Sequence, residues 1–289
     1  MVLFVKKMSR KRSLLEIHFA VLLFGLAGLF GKLITLSPII IVFGRVIFAS
    51  IALGFFLLVI GQKIRISLKR EYFLLGILGI ILSFHWISFF QSIKVSTVAI
   101  GLLSYSSFPI FTAFLEPLIL REKFDLKDLF ISIIAFAGIF IIIPEFEIAN
   151  KVTQGVLWGL ASGLSFSFLS IINRNLSQKY SSLIIAFFQD SIAAILLFPA
   201  FLFLKPIIDF KNFFWLVILG VVCTALSHTL FIKGMRYIKA RSASIISTFE
   251  PIYAIILAIL FLKEIPDLRT FLGGLLIISA VLVVTARRE

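Results

Sequence analysis

Residues 108–125, FPIFTAFLEPLILREKFD, and residues 250–267, EPIYAIILAILFLKEIPD, decide how this chain folds. Laid over one another at an offset of 142, they pair Pro109 with Pro251, Ile110 with Ile252, Leu120 with Leu262, Glu122 with Glu264 and Asp125 with Asp267. Phe111 with Tyr253 and Arg121 with Lys263 are conservative replacements. Two Leu- and Ile-rich helices share aliphatic residues by chance, but not proline, glutamate and aspartate in one register. The chain reads as a duplication.

What is duplicated follows from composition. Hydrophobic residues make up 61% of the 289 positions, charged residues 15%, and the mean hydropathy is +1.13. No soluble fold covers such a chain with polar surface, so it is an integral membrane protein. Apolar runs between charged residues give ten expected spans: 14–35, 37–60, 71–92, 95–119, 128–144, 153–173, 183–204, 212–235, 242–262 and 268–285. Each is of the order needed to cross about 30 Å of hydrocarbon as a helix. Barrel strands would be about half as long and would alternate. The basic start, MVLFVKKMSRKRSLLEIHF, looks like a leader, but the apolar run of about 20 residues behind it lacks a small-x-small cleavage site, so an uncleaved first span is expected.

The net charge of +14 does not mark a nucleic-acid partner, because the basic residues are spread through short loops rather than gathered on one face. They are topology signals. Of the 28 Lys and Arg, twenty fall on the side of the N-terminus, seven on the opposite side, and Arg45 lies inside a span. The positive-inside rule then puts both termini in the cytoplasm. With five spans per repeat, the second repeat enters the membrane upside down. The expected organisation is a cytoplasmic segment 1–13, a first five-helix unit 14–144 and an inverted second unit 153–285, an architecture used for alternating access about a midplane site. Cys223 is the single cysteine, which rules out an intramolecular disulfide.

The stretches PIIIVFGRVIFASIAL (38–53), SSFPIFTAFLEPLILREKF (106–124) and ARSASIISTFEPIYAIILAILFLKEIPDLRTFLGGLLIISAVLVV (240–284) carry a resemblance to the EamA-like members of the drug/metabolite transporter superfamily. The resemblance covers nearly the whole chain. It implies a secondary transporter, commonly an exporter of amino acids or other small metabolites, with a central cavity lined by spans 1, 3, 4, 6, 8 and 9. Glu116-Pro117, late in span 4, departs from the common pattern.

Ionisable residues inside a membrane are costly, so each is a candidate for function, with buried structural pairing as the alternative. Measured from span edges, Arg45 and His85 lie roughly 12 and 10 Å from the outer edge, whereas Asp190, His228 and Glu250 lie roughly 10, 10 and 12 Å from the inner edge. That spacing suggests two polar clusters, one per membrane half, and disfavours an Arg45–Asp190 salt bridge. Glu250, with His228, is a candidate for binding a coupling proton or a substrate ammonium; satisfaction by the hydroxyls of Ser247 or Thr248 is the competing reading. Arg45 and His85 are candidates for a substrate carboxylate, although an Arg bonded to helix-end carbonyls fits as well. Gln189 and Asp190 are gate candidates, with a packing hydrogen bond the simpler account. Pro109 and Pro251 are hinge candidates, since each removes a backbone donor in mid-span. Ser104, Tyr105, Ser106 and Ser107 offer hydroxyls, and Trp86, Trp158 and Tyr253 offer aromatic faces. Glycines 25, 28 and 31 form a stripe on span 1, and Gly273-Gly274 lie early in span 10; close helix packing accounts for both.

No H-E-x-x-H motif, P-loop or Cys/His metal spacing occurs, so neither an enzyme nor a bound cofactor or metal is expected. The expected partners are a small-molecule substrate and the lipid bilayer, and oligomeric state is left open. A membrane-embedded lipid-handling protein or enzyme, and a channel, are the alternatives to a transporter of amino acids or related metabolites.

Overall fold

The computed structural model describes residues 2–62, 66, 69–120, 126–144, 147–238, 240–247 and 249–286. The described residues form helices: α1 (Val2–Leu33), α2 (Pro38–Val59), α3 (Lys69–Val95), α4 (Val98–Tyr105), α5 (Phe108–Leu120), α6 (Leu126–Ile142), α7 (Lys151–Ser177), α8 (Ser182–Leu204), α9 (Phe210–Gly220), a π-helical turn (Val221–Leu226), α10 (Ser227–Gly234), α11 (Ala240–Ser247), α12 (Glu250–Leu262) and α13 (Leu268–Ala286). Side-chain oxygens start several of them. Thr97 accepts from Ile100 N at 3.1 Å, Asn150 from Val152 N at 2.8 Å, and Asp209 from Asn212 N at 2.7 Å. Asp267 accepts from Thr270 N at 2.7 Å, and hydrogen bonds from Thr270 hold its carboxyl below the ordinary carboxylate range.

Seven of these segments, among the described residues, are long and apolar enough to cross a membrane: 10–33, 38–59, 70–95, 98–119, 151–177, 182–204 and 210–234. The other three expected spans coincide with α6, with α11 and α12 together, and with α13. Of these, α6 has 17 residues, α13 has 19, and a helix break before Glu250 leaves 13 in α12.

The duplication is visible in helix boundaries. α4 and α11 start at Val98 and Ala240 and end at Tyr105 and Ser247; α5 and α12 run from Phe108 and Glu250 to Leu120 and Leu262. Every one of those pairs is separated by the 142 positions that relate the two proline motifs. Spans 4 and 9 are therefore broken at the same place, and Pro109 and Pro251 each occupy the second position of the new helix. Each proline therefore opens a new helix rather than interrupting a continuous one. In a first turn the missing N–H would have had no intrahelical partner anyway, so the proline costs nothing there. The matched Glu122 and Asp125, and the loop cations Lys63, Arg65, Arg121, Lys123, Lys239, Arg287 and Arg288, lie outside the described residues.

α3 packs along α7, α6 along α13, and α2 along α8. Small residues let these axes approach. Gly155, Gly159 and Gly163 recur every four residues on α7 and face α4: a Cβ on Gly159 would stand 2.5 Å from the Ser104 Cβ and 3.2 Å from the Gly101 carbonyl oxygen. The span 1 stripe does similar work, with Gly25 against Glu250 and Tyr253, Gly28 against Leu102 and Gly31 against Ile93 and Phe90. Gly138 and Gly273 each face the other's carbonyl oxygen, bringing α6 onto α13. We expect Gly159→Val to force α4 and α7 apart and to cost about 1–3 kcal/mol, read as a lower melting temperature of the purified protein. An unchanged melting curve would mean that the α4–α7 contact bears no load.

Candidate functional site

The breaks in spans 4 and 9 bring polar groups to the middle of the bundle. Tyr105 is the last residue of α4, and Glu250 is the first of α12, where a carboxylate complements the partial positive charge of the helix N-terminus. Between them is a cavity of about 30 Å³. Its walls come from α1 (Phe24, Ala27), α2 (Arg45), α3 (Leu82, His85, Trp86, Phe89), α4 (Tyr105), α7 (Phe166), α10 (His228) and α12 (Glu250). These are the six spans implied by the family resemblance, with span 2 added through Arg45.

One cavity, rather than two clusters in opposite halves, holds Arg45, His85, His228 and Glu250. Arg45 is 2% exposed; its Nε donates to Thr224 Oγ1 at 2.9 Å, and its Nη2 donates to the Cys223 carbonyl at 3.3 Å. The guanidinium carbon lies 3.7 Å from the centroid of Trp86, a close cation–π stack. Both anchors belong to the π-helical turn, whose irregular bonding leaves a carbonyl available to a side chain. Asp190 and Glu250 lie within electrostatic reach of the same guanidinium. Neither is in contact as a salt bridge among the described residues, so Arg45 acts on them through space.

His85 is fixed to α7: its Nδ1 is 3.0 Å from the Ser162 carbonyl and 2.9 Å from the Ser162 hydroxyl. Its ring packs on Phe166 and Tyr105, with centroids 4.9 and 5.6 Å away. Glu250 is 3% exposed, and its Oε2 has no hydrogen-bond partner; His228, also 3% exposed, has none at Nδ1. The proposed satisfaction of Glu250 by Ser247 is not seen, because that hydroxyl donates to the Ala243 carbonyl at 3.1 Å. Thr248 lies outside the described residues. Unpartnered buried polar atoms cost about 1–3 kcal/mol each, so two on the lining of one cavity make it the candidate site.

The other candidates fall elsewhere. Gln189 donates through its amide to the Asn173 carboxamide, joining α8 to α7, while Asp190 is wholly buried with neither oxygen hydrogen-bonded. Tyr253 sits beside Gly25 and Phe249, off the cavity wall, and Trp158 is 37% exposed on the outside of α7. Ser106 and Ser107 bond back to the carbonyls of Leu102 and Ser104, which leaves Tyr105 as the member of that group on the wall. Residue counting missed Phe24, Phe89 and Phe166: among 34 phenylalanines, nothing in composition separates wall from lipid-facing filler.

Polar bridges tie the bundle at both ends. At one end Lys32 donates to the Ser96 carbonyl at 2.6 Å, and Lys94 donates to the Ile34 carbonyl at 2.5 Å, so the ends of α1 and α3 cap one another. Nearby, Glu264 accepts from Val98 N at 3.1 Å, and Asn212 donates to Thr35 Oγ1 at 2.9 Å. At the other end Lys233 meets Glu16 at 2.7 Å, and Glu71 receives Lys179 at 3.1 Å together with the Tyr180 hydroxyl. A cavity of about 30 Å³ has room for about one water molecule. An organic substrate fits only if the surrounding helices move apart.

A polytopic helical bundle with broken helices around a small polar cavity belongs to the architecture of membrane transporters. The model of the EamA-like transporter family matches residues 12–143 and again 153–286. The chain belongs to that family and is a multi-pass membrane transporter. It is similar to the uncharacterized transporter YxxF of Bacillus subtilis (strain 168), at 25% identity over 99% of this chain and 93% of that one. It is also similar to the S-adenosylmethionine uptake transporter of Rickettsia bellii (strain RML369-C), at 26% identity over 84% of this chain and 82% of that one. A chain of known crystal structure superposes with a TM-score of 0.70 over 96% of this chain and 98% of its own length; at 16% identity that likeness concerns the fold.

Proposed function

We propose that the protein is a secondary transporter that carries a small zwitterionic metabolite, an amino acid or a compound with an amino-acid end, by alternating access through the Arg45–Glu250 cavity. The observation that carries this reading is an arginine and a glutamate lining one small cavity, with Glu250 Oε2 unpartnered. Arg45 takes the substrate carboxylate, Glu250 takes the ammonium or a coupling proton, and Trp86, Tyr105 and Phe166 pack on the apolar part. S-Adenosylmethionine, named for the Rickettsia relative, has such an amino-acid end and an aromatic base, so it belongs in the same substrate class.

The two family matches and the repeated helix boundaries support two homologous units, 14–144 and 153–285. An odd number of spans in each makes the repeat inverted, for ten spans in all. The excess of Lys and Arg on the side of the N-terminus supports cytoplasmic termini in the cell membrane. Nothing in the cavity resembles a hydrolytic or metal-dependent centre, and saturable exchange separates a carrier from a pore. Export is the direction implied by the family resemblance, whereas the Rickettsia relative is named for uptake; an exchange assay reads both.

The test is counterflow in proteoliposomes with amino acids, S-adenosylmethionine, nucleosides and amphipathic cations as competing substrates. Saturable exchange of compounds bearing an α-amino-acid group is the expected result. Exchange confined to cations lacking a carboxylate would overturn the assignment.

A further inference from the structure

A second and larger cavity, about 500 Å³, shares no lining residue with the Arg45–Glu250 cavity. It is bounded by Ala52, Leu53 and Phe56 of α2, by Ser181, Ser182 and Leu183 at the start of α8, by Val221, Ala225 and Leu226 of the π-turn, and by Thr229, Leu230 and Lys233 of α10. The walls are graded along their length. From Val221 to Lys233 the chain rises about 18 Å, and the lining passes from Val, Ala and Leu to Thr229 and then to Lys233, level with Ser181 and Ser182. Phe56, Leu226 and Val221 are 50%, 44% and 38% exposed, so the cavity opens on the lipid-facing side of the bundle.

Three features of its polar end point to an anion. The first turn of α8 presents N–H groups without intrahelical partners, and Ser181, at the N-cap, makes no capping hydrogen bond, its hydroxyl donating only at 3.5 Å to Gln62 Oε1. Lys233 supplies a cation, held at 2.7 Å by Glu16, which Arg12 shares at 3.0 Å. Thr229 lies on the cavity wall with its Oγ1 enclosed and without a hydrogen-bond partner, so a χ1 rotation of this residue brings the hydroxyl to a headgroup.

We infer that this cavity is a binding site for an anionic phospholipid, with the headgroup phosphate at Ser181, Ser182, Thr229 and Lys233 and an acyl chain along Ala52, Ala225 and Val221. The charge gradient selects the occupant: a zwitterionic lipid brings its own cation to Lys233 and gains nothing from it, and a free anion leaves the apolar length empty. The bond from Glu16 to Lys233 competes with the headgroup and sets the strength of the preference. The site stands apart from the substrate cavity, so it does not depend on which metabolite is carried.

The experiment is native mass spectrometry of the detergent-purified protein titrated with phosphatidylglycerol and with phosphatidylcholine of equal chain length. Phosphatidylglycerol is expected to bind about fivefold more tightly. Lys233→Gln should abolish the preference, and Glu16→Gln, which frees Lys233, should increase it. Both substitutions break the same ion pair, so a merely structural role moves them in one direction. Ala225→Phe, which fills the apolar length, should weaken the tight phosphatidylglycerol event while leaving the protein monodisperse. A preference near one in the unaltered protein, loss of preference in both Lys233→Gln and Glu16→Gln, or displacement by inorganic phosphate at equal concentration would each overturn the proposal.

Discussion

Glu250→Gln is expected to abolish concentrative transport while leaving the fold intact. Glu250 is 3% exposed, opens α12 and has no hydrogen-bond partner at Oε2. Glutamine fills the same space and removes only the charge and the titrating proton. If the carboxylate receives a substrate ammonium, losing that pairing costs about 2–5 kcal/mol, which is a fall of roughly 30-fold or more in exchange at subsaturating substrate. If it carries the coupling proton, counterflow persists while gradient-driven accumulation disappears. In both cases the melting temperature stays level or rises, because a poorly compensated buried charge has gone. A Gln variant with normal uptake and unchanged dependence on the proton gradient would remove Glu250 from the mechanism.

The second large effect is at Arg45. Arg45→Lys keeps the charge but loses the fork that reaches Thr224 and Cys223 and the flat stack on Trp86. We expect folded protein whose exchange of carboxylate-bearing substrates falls at least about tenfold, with KM rather than maximal rate carrying most of the change. Arg45→Leu goes further: it removes the cation within electrostatic reach of Asp190 and Glu250 and the bonds to Thr224 and Cys223, which should show as a lower yield. Adding Asp190→Asn to Arg45→Leu should restore much of the yield and none of the transport. Recovery of both would make Arg45 a purely structural counter-ion; recovery of neither would mean that Asp190 is not what Arg45 stabilises.

The proline register was legible before any coordinates because Pro, Glu and Asp recur against an aliphatic background, and the helix ends repeat with that register. Glu250, Arg45, His85 and His228 were legible as well, since ionisable groups in apolar runs stand out. Their convergence was not. Depths counted from span edges treat each span as one straight rod, but span 9 breaks before Glu250 and span 8 takes a π-helical turn at Val221–Leu226. A single extra residue per turn leaves no mark in residue types, although it gives Arg45 its carbonyl. Trp158 lies off the cavity wall for a different reason: Gly155, Gly159 and Gly163 mark the inward face of α7, and Trp158, 37% exposed, stands off that face.

The mutual capping of α1 and α3 by Lys32 and Lys94 carries a consequence for how the protein tolerates genetic change. Each ammonium is held by a main-chain oxygen, at Ser96 and Ile34, and a main-chain oxygen survives every substitution of the residue that bears it. Drift in the side chains at the acceptor positions therefore leaves the accepting oxygens in place. Two codons, those for Lys32 and Lys94, supply both donors of that mutual capping.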